Sequence, residues 1–201
     1  MRGVRKAEAS DAAAIASLLI NELPNDPLLS LLSRAKVLEK FIESLVFTNS
    51  SWIIERNGLI GVITIGKLNE TLVNFRRHVT LHDFFRIVSA AVLPSQLTKL
   101  MSGIYYIARK PKDPSRLEIT WIAIDHRHHG NGLGGELLNL AVTSILKKAE
   151  VIWVKTLVKT PANIRFYQKH RFEVSHYVGG RVILTRSLGV PHVFDSRRYE
   201  I

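Results

Sequence analysis

The 201-residue sequence contains no cysteine, which excludes disulfides, thiolate metal sites and a cysteine nucleophile. It also lacks a long apolar run. The stretch from Ala12 to Ile20 is too short and too amphipathic to span a membrane, and no N-terminal signal-type region precedes it. A soluble, cytoplasmic protein is the expectation. Acidic residues are scarce, 17 against 28 lysines and arginines, so the net charge is +11. Such an excess suits polyanionic partners: nucleic acid, anionic lipid or a phosphate-rich cofactor. A basic, solvated surface accounts equally well for Arg2, Arg5, Lys6, Arg197 and Arg198. There is no internal repeat. What is present, 46% hydrophobic residues over this length, is enough for one domain with a core.

Along the chain, Val4 to Ala7 reads as a short strand. Ser10-Asp11 supplies a helix N-cap before Ala12 to Leu19, and Pro24 and Pro27 break that helix. Val37, Phe41, Ile42, Leu45 and Val46 recur at helical spacing. Trp52 to Glu55, Asn57-Gly58 and Leu59 to Ile65 read as a hairpin with a tight turn. Residues 69–116 carry Phe75, Val79, Phe84, Phe85, Ile87, Val88, Val92 and Leu93 at spacing that suggests helical packing, punctuated by Pro94 and Gly103. From Lys67 to Arg116 there are nine basic residues against three acidic. This segment reads as a helical insertion between a third and a fourth strand. Strand-like runs follow at Leu117 to Ile124 and Val151 to Thr156, and a last hairpin spans Phe172 to Tyr177 and Arg181 to Thr185. Residues 1–188 form one domain on this reading, and 189–201 a loose tail.

The most informative stretch lies between the fourth strand and an amphipathic run from Leu137 to Leu146. It places four glycines, Gly130, Gly132, Gly134 and Gly135, within six residues. Glycines let the backbone approach a ligand closely, and a helix start offers unpaired N–H groups and partial positive charge. Together they make an anion cradle, most often for phosphate. A P-loop would need Lys-Ser/Thr after its last glycine, and Glu136 stands there instead. A Rossmann turn would lie in the first strand–helix unit, whereas this one lies two-thirds along the chain. A tight turn without a ligand is the plain alternative.

The run Ile122-Ala123-Ile124-Asp125-His126-Arg127-His128-His129-Gly130-Asn131-Gly132-Leu133-Gly134 resembles motif A of the GNAT superfamily of N-acetyltransferases. His129 stands where that family usually has Arg or Gln. Thr160-Pro161-Ala162-Asn163, followed by Phe166-Tyr167 and Phe172, resembles motif B, with Arg171 in place of the usual glycine. The motifs occur in the family's order and at its usual separation. The resemblance implies a mixed α/β fold: a largely antiparallel sheet flanked by helices, here with the helical insertion between strands 3 and 4.

It also implies roles. Gly130, Asn131, Gly132, Leu133, Gly134 and Gly135, with His129, would hold the pyrophosphate of acetyl-CoA. The main chain of Ile122 and Ile124 would pair with pantetheine and polarise the thioester carbonyl, and Asn163 would bond the pantetheine arm. Tyr167 would protonate the departing thiolate; a core tyrosine is the alternative. Glu118 would act as base, directly or through water; a solvated strand-end carboxylate is its alternative. An amine with an ordinary pKa near about 10 needs such a base or a desolvating pocket. The acceptor reads as a primary amine of a small molecule such as an amino sugar, with Arg76, Arg77 and Arg86 lining its approach. A protein N-terminus or lysine is the second acceptor. A non-catalytic basic module that binds nucleic acid or anionic membrane is the rival of another class. No metal is expected: His126, His128 and His129 more plausibly flank phosphate, and His78 and His82, four apart on one helix face, lack a third ligand. Trp121 reads as packing.

Overall fold

The computed structural model describes residues 3–90, 116–146 and 149–188. Val92, Leu93, Pro94 and Gly103, the basic residues from Lys99 to Lys112, Arg2, and the tail at 189–201 lie outside them. Seven strands form one sheet: β1 (Gly3–Lys6), β2 (Ser50–Glu55), β3 (Leu59–Gly66), β4 (Arg116–Ile124), β5 (Val151–Leu157), β6 (Glu173–Val178) and β7 (Arg181–Ser187). Their spatial order is β1-β2-β3-β4-β5-β7-β6, and every pairing is antiparallel except that of β4 with β5. Seven α-helices flank the sheet among the described residues: α1 (Ala12–Glu22), α2 (Pro27–Arg34), α3 (Leu38–Thr48), α4 (Leu68–His78), α5 (Leu81–Ala90), α6 (Leu133–Ile145) and α7 (Pro161–Lys169).

Local chemistry explains the starts of these elements. Pro27 does not only break a helix; it opens α2 at the first helical position, where its missing N–H costs nothing. Asp26 caps that helix by accepting from the N–H groups of Leu28 at 2.9 Å and Leu29 at 3.0 Å. Asn57 and Gly58, both at positive φ, make the β2–β3 turn. Arg5 bonds Asp11 and Glu55, tying β1 to the start of α1 and to β2; the Arg5 guanidinium holds the Asp11 carboxyl below its ordinary pKa.

The centre of the sheet is buried on both faces. One core holds α1, α2 and α3 against Ile53, Val62, Trp121 and Ala123. Phe41 is its centre, fully buried and edge-on to Phe75 at 5.2 Å and to Trp121 at 6.0 Å. The other core holds α6 and α7 against Ile54, Ile63, Ile65, Ile119, Ile152 and Val154.

Strand β4 carries a bulge. Thr64 pairs with Trp121 and Ile65 with Ile119, so Thr120 is the extra residue. The bulge reverses the facing of the strand: Ile119 packs towards α6, Trp121 towards α3. It also marks where β4 leaves β5. Pairing joins Arg116–Ile119 to Val151–Val154 and stops there, while β5 stays paired with β7 as far as Leu157. The C-terminal halves of the two parallel strands therefore part.

The insertion is helical where it is described. α4 buries Phe75, and Thr71 accepts from the Asn49 amide at 2.6 Å. α5 begins with a reciprocal cap: the Thr80 N–H donates to Asp83 and the Asp83 N–H donates to Thr80 Oγ1, each at 3.1 Å. Lys40 of α3 then bonds Asp83 at 2.6 Å. The expectation that Phe84, Phe85 and Val88 pack inward is corrected: all three are exposed. The inner face of α5 is Asp83, Ile87 and Ala90, and the amphipathic spacing of the helix belongs to its outer side as well. His78 and His82 do not share a helix face either, since α4 ends at His78 and α5 begins at Leu81, and both imidazoles are exposed.

Candidate active site

The glycine turn sits at the open end of the gap between β4 and β5. Asp125 leaves β4 with its N–H bonded to the Ile60 carbonyl at 2.8 Å, on the β3 side. Amide directions alternate along a strand, so the main-chain groups of Ile122 and Ile124 face the gap. The His129 ring agrees, with Nε2 2.7 Å from the Ile124 carbonyl oxygen. Beyond Ile119 these groups have no β5 partner. The hydroxyl of Thr120, at the bulge, is buried without a hydrogen-bond partner.

A 3₁₀ turn at His126–His128 leads into the glycines. Asp125 accepts from the Arg127 N–H and guanidinium, which hold its carboxyl well below the usual range. Gly130 and Gly132 take φ of +79° and +76°, and a Cβ on either would meet nothing within 4 Å. Their conformation needs glycine, and the space beside them is open. Gly132 caps α6 without any side-chain bond, which leaves the first-turn N–H groups of Leu133, Gly134 and Gly135 directed at that space. Gly134 and Gly135 do a different job as well. A Cβ on Gly134 would lie 3.5 Å from the Phe166 ring, and one on Gly135 only 2.7 Å from the His170 ring. They let α6 approach α7 closely.

α7 carries the second motif beside the gap. Pro161 opens it, and Asn163 Nδ2 lies 3.5 Å from Thr156 Oγ1 on the half of β5 that has parted from β4. Tyr167 is buried between Phe166 and Phe172, ring centres 5.1 Å and 5.5 Å away. Burial pushes its phenol pKa above the ordinary 10.0, so the hydroxyl keeps its proton. Among the described residues that hydroxyl has no hydrogen-bond partner. Arg171 ends the helix at φ +66°, so the turn forms without the glycine usual there. The His170 imidazole is held below its ordinary pKa, chiefly by burial and then by Lys169 and Arg186.

Glu118 is no solvated strand end. It is 5% exposed and stands 3.8 Å from the ammonium of Lys155. Leu117 and Ile119 face α6, so alternation puts Glu118 on the face that carries α1 to α3. Trp121, on that face too, donates to Asp26 at 3.3 Å, as a packing residue with one bond to the α1–α2 connection. Arg76, Arg77 and Arg86 are not brought to this place. Arg76 and Arg77 are exposed at the end of α4, which packs on α3, and Arg86 is on α5, which packs on α2.

Two residues escaped the sequence reading. Glu22, at the end of α1, accepts from the His126 N–H at 3.0 Å and lies 2.9 Å from His126 Nδ1, with His129 Nε2 at 3.9 Å. It ties α1 to the turn across 104 residues, and no local pattern signals such a contact. Arg56, from the β2–β3 turn, lines a small cavity with His128, Asn131 and Leu133. A larger cavity of about 320 Å³, lined by Lys6, Asn49, Gly66, Lys67 and Leu117, lies at the opposite end of β4.

Residues 98–172 match the sequence model of the acetyltransferase (GNAT) family. No curated protein sequence matches the chain. Among solved structures, the ribosomal-protein-S18-alanine N-acetyltransferase of Escherichia coli is similar, with TM-score 0.59 and 13% identity over 96% of this chain and 97% of that one. The PaiA N-acetyltransferase of Thermoplasma acidophilum, solved in complex with coenzyme A, gives TM-score 0.63 and 11% identity over 93% and 99%. A GNAT family acetyltransferase of Elizabethkingia anophelis with acetyl-CoA bound gives 0.54 and 14% over 92% and 97%. At such identities these likenesses are ones of fold. The family match spans β4, the glycine turn, α6, β5 and α7, the elements that build the gap, and over these elements the chain is similar to acetyltransferases of the GNAT family.

Proposed function

We propose that the chain transfers an acetyl group from acetyl-CoA to the primary amine of a small molecule, with an amino sugar as the representative acceptor. One observation carries the donor half: the β4–β5 gap, edged by β4 main-chain groups that no longer pair with β5, ends at a glycine turn whose N–H groups face open space. The donor fits this place. Gly130, Asn131, Gly132 and Leu133, with the first turn of α6, would hold its pyrophosphate, assisted by His129. Ile122 and Ile124 would pair with the pantetheine amides, and Asn163 would bond the same arm from α7. When bound, acetyl-CoA supplies an activated acetyl thioester.

The chain's own groups do the rest. A main-chain N–H of β4 in the gap donates to the carbonyl oxygen as negative charge develops there. Tyr167, kept protonated by burial, gives its phenolic proton to the leaving sulfur. Glu118 takes a proton from the amine, directly or through water, on the face opposite α6 and α7. Its burial beside Lys155 supports a small acceptor, because a carboxylate set into the sheet is reached by a compact amine rather than by a folded surface. Gly134 and Gly135 act mainly by letting α7 bring Tyr167 and Asn163 close to α6.

The test is release of free thiol from acetyl-CoA across a panel of amines: amino sugars, polyamines, and peptides with free N-termini or lysines. Turnover with small amines and none with peptides is expected. Turnover restricted to peptides would move the acceptor to the protein class. Tyr167→Phe should lower kcat by about 10²- to 10⁴-fold while acetyl-CoA affinity by calorimetry stays the same. Wild-type turnover by that variant, with chemistry rate-limiting, would remove Tyr167 from the reaction.

A further inference from the structure

We infer that the outer face of α5 docks the protein on an anionic lipid surface. The face is built from Leu81, Phe84, Phe85 and Val88, spaced i, i+3, i+4 and i+7, so the four side chains form one stripe. They are 73%, 55%, 59% and 46% exposed, and the two phenylalanine rings stand edge to face at 6.2 Å. Four adjacent large apolar groups on one helix face are not the scattered exposed residues every surface carries.

The helix is not held in place by that stripe. Its inner face is fixed independently, by the Thr80–Asp83 cap, the Lys40–Asp83 bond, and Ile87 and Ala90 against the core. Among the described residues the stripe belongs to neither core, yet it presents apolar surface on a helix fixed from its other side.

Charge selects the occupant. Arg76 and Arg77, exposed at the end of α4, precede α5 by a short connection, and Val73, also exposed, lies one turn before them. His82 flanks the stripe, and Arg86 lies further round the same helix. The acids among the described residues of this segment are neutralised or turned away: Glu70 pairs with Lys67, and Asp83 faces Lys40. A helix with an apolar outer stripe, exposed cations before and beside it in the chain and no opposing free acid among the described residues of its segment fits the interface of a bilayer with negative headgroups. The phenyl rings and Leu81 would enter the acyl boundary, and the arginines would meet lipid phosphates. No described helix is long and apolar enough to cross the bilayer, so α5 would lie along it. Nucleic acid fits less well, since a phosphate backbone has no use for four apolar side chains. A second copy fits less well too, because one ten-residue helix face is small beside the about 1,200–2,000 Å² that stable interfaces bury.

The experiment uses the full chain and vesicles, by co-sedimentation and by fluorescence of a Phe85→Trp variant. Vesicles of phosphatidylglycerol mixed with phosphatidylcholine should bind the protein, and pure phosphatidylcholine should bind it at least tenfold more weakly. Phe84→Ser combined with Phe85→Ser should lower binding to anionic vesicles at least tenfold, with circular dichroism and acetyl-CoA affinity unchanged. Leu81→Ser, at the most exposed position, is the second variant should the double substitution disturb folding. Equal binding by these variants, or no preference for anionic vesicles, would overturn the proposal. So would dimerisation lost with the same substitutions, which would make a second copy the occupant, or salt-sensitive RNA binding without vesicle binding. None of these outcomes depends on acetyl transfer.

Discussion

The segment from β4 to α6 and the segment from α4 to α5 have opposite relations between sequence and role. In the first, the functional groups are main-chain N–H and C=O groups. Their direction is set by two glycines at positive φ within the segment itself, and by a bulge at Thr120 where β4 pairs with β3. In the second, the side chains carry the information, and an amphipathic pattern does not say which of two apolar sides turns inward. α5 has an inner face of Asp83, Ile87 and Ala90 and an outer one of Leu81, Phe84, Phe85 and Val88. The glycine turn can be read locally; side-chain-encoded surfaces need the partner they pack against.

The sharpest test of the first region is Gly132→Val. A branched side chain at φ +76° is strained by about 1–2 kcal/mol, and it projects into the open space beside the turn. Acetyl-CoA affinity measured by calorimetry should fall at least about tenfold, the equivalent of that strain. Gly58→Ala, also at positive φ but in the β2–β3 hairpin, should leave it unchanged. Equal affinity in a folded Gly132→Val protein would break the link between this turn and the donor.

Gly135 separates packing from binding within the same turn. Gly135→Ala puts a methyl 2.7 Å from the His170 ring, and overpacking of this kind costs about 1–3 kcal/mol. Denaturation should show that loss, and a Gly135→Ala, His170→Ala double variant should recover much of it. Additive losses would mean that the two residues do not meet.

The second region is tested through acid. Lys40, with the N–H and hydroxyl of Thr80, lowers the Asp83 pKa from 3.8 to about 2. A depressed carboxylate stabilises the fold fully above its unfolded pKa, and that contribution fades as pH falls from about 4 towards 2. Asp83→Asn should therefore be less stable than wild type at pH 6, with the difference closing below pH 4, while acetyl-CoA affinity is untouched. A constant difference across that range would show that Asp83 acts only through its shape.

The smallest effect is expected at Arg171, a non-glycine residue at φ +66°. Arg171→Gly should raise stability by up to about 1 kcal/mol, through relief of left-handed strain and of repulsion on Arg186. A lower melting temperature would show that the arginine is held there by contacts worth more than the strain.

Much of the molecule was legible in advance. The β2–β3 hairpin follows from Asn57-Gly58, α3 from the spacing of Phe41, Ile42 and Leu45, and the strand–turn–helix from its glycines. α2 was missed because Pro27 reads as a breaker in one register and as a first helical residue in another, and only the Asp26 cap decides between them. Of the named site residues, the structure gathers Ile122, Ile124, His129, the glycine turn, Asn163 and Tyr167 around one gap, and puts Glu118 on the other face. Arg76, Arg77 and Arg86 lie elsewhere, because the insertion stacks on α3 and α2.

The sequence alone determined what short-range chemistry decides: where glycine is needed, where helices begin, and which residues are apolar at strand or helix spacing. Tertiary structure alone decided the bulge at Thr120 and the parting of β4 from β5, since both depend on what pairs across the sheet. It alone brought Glu22 to the turn, buried Glu118 beside Lys155 and left the outer stripe of α5 bare. These are contacts between groups far apart in the chain, and no local pattern specifies the distance at which they meet.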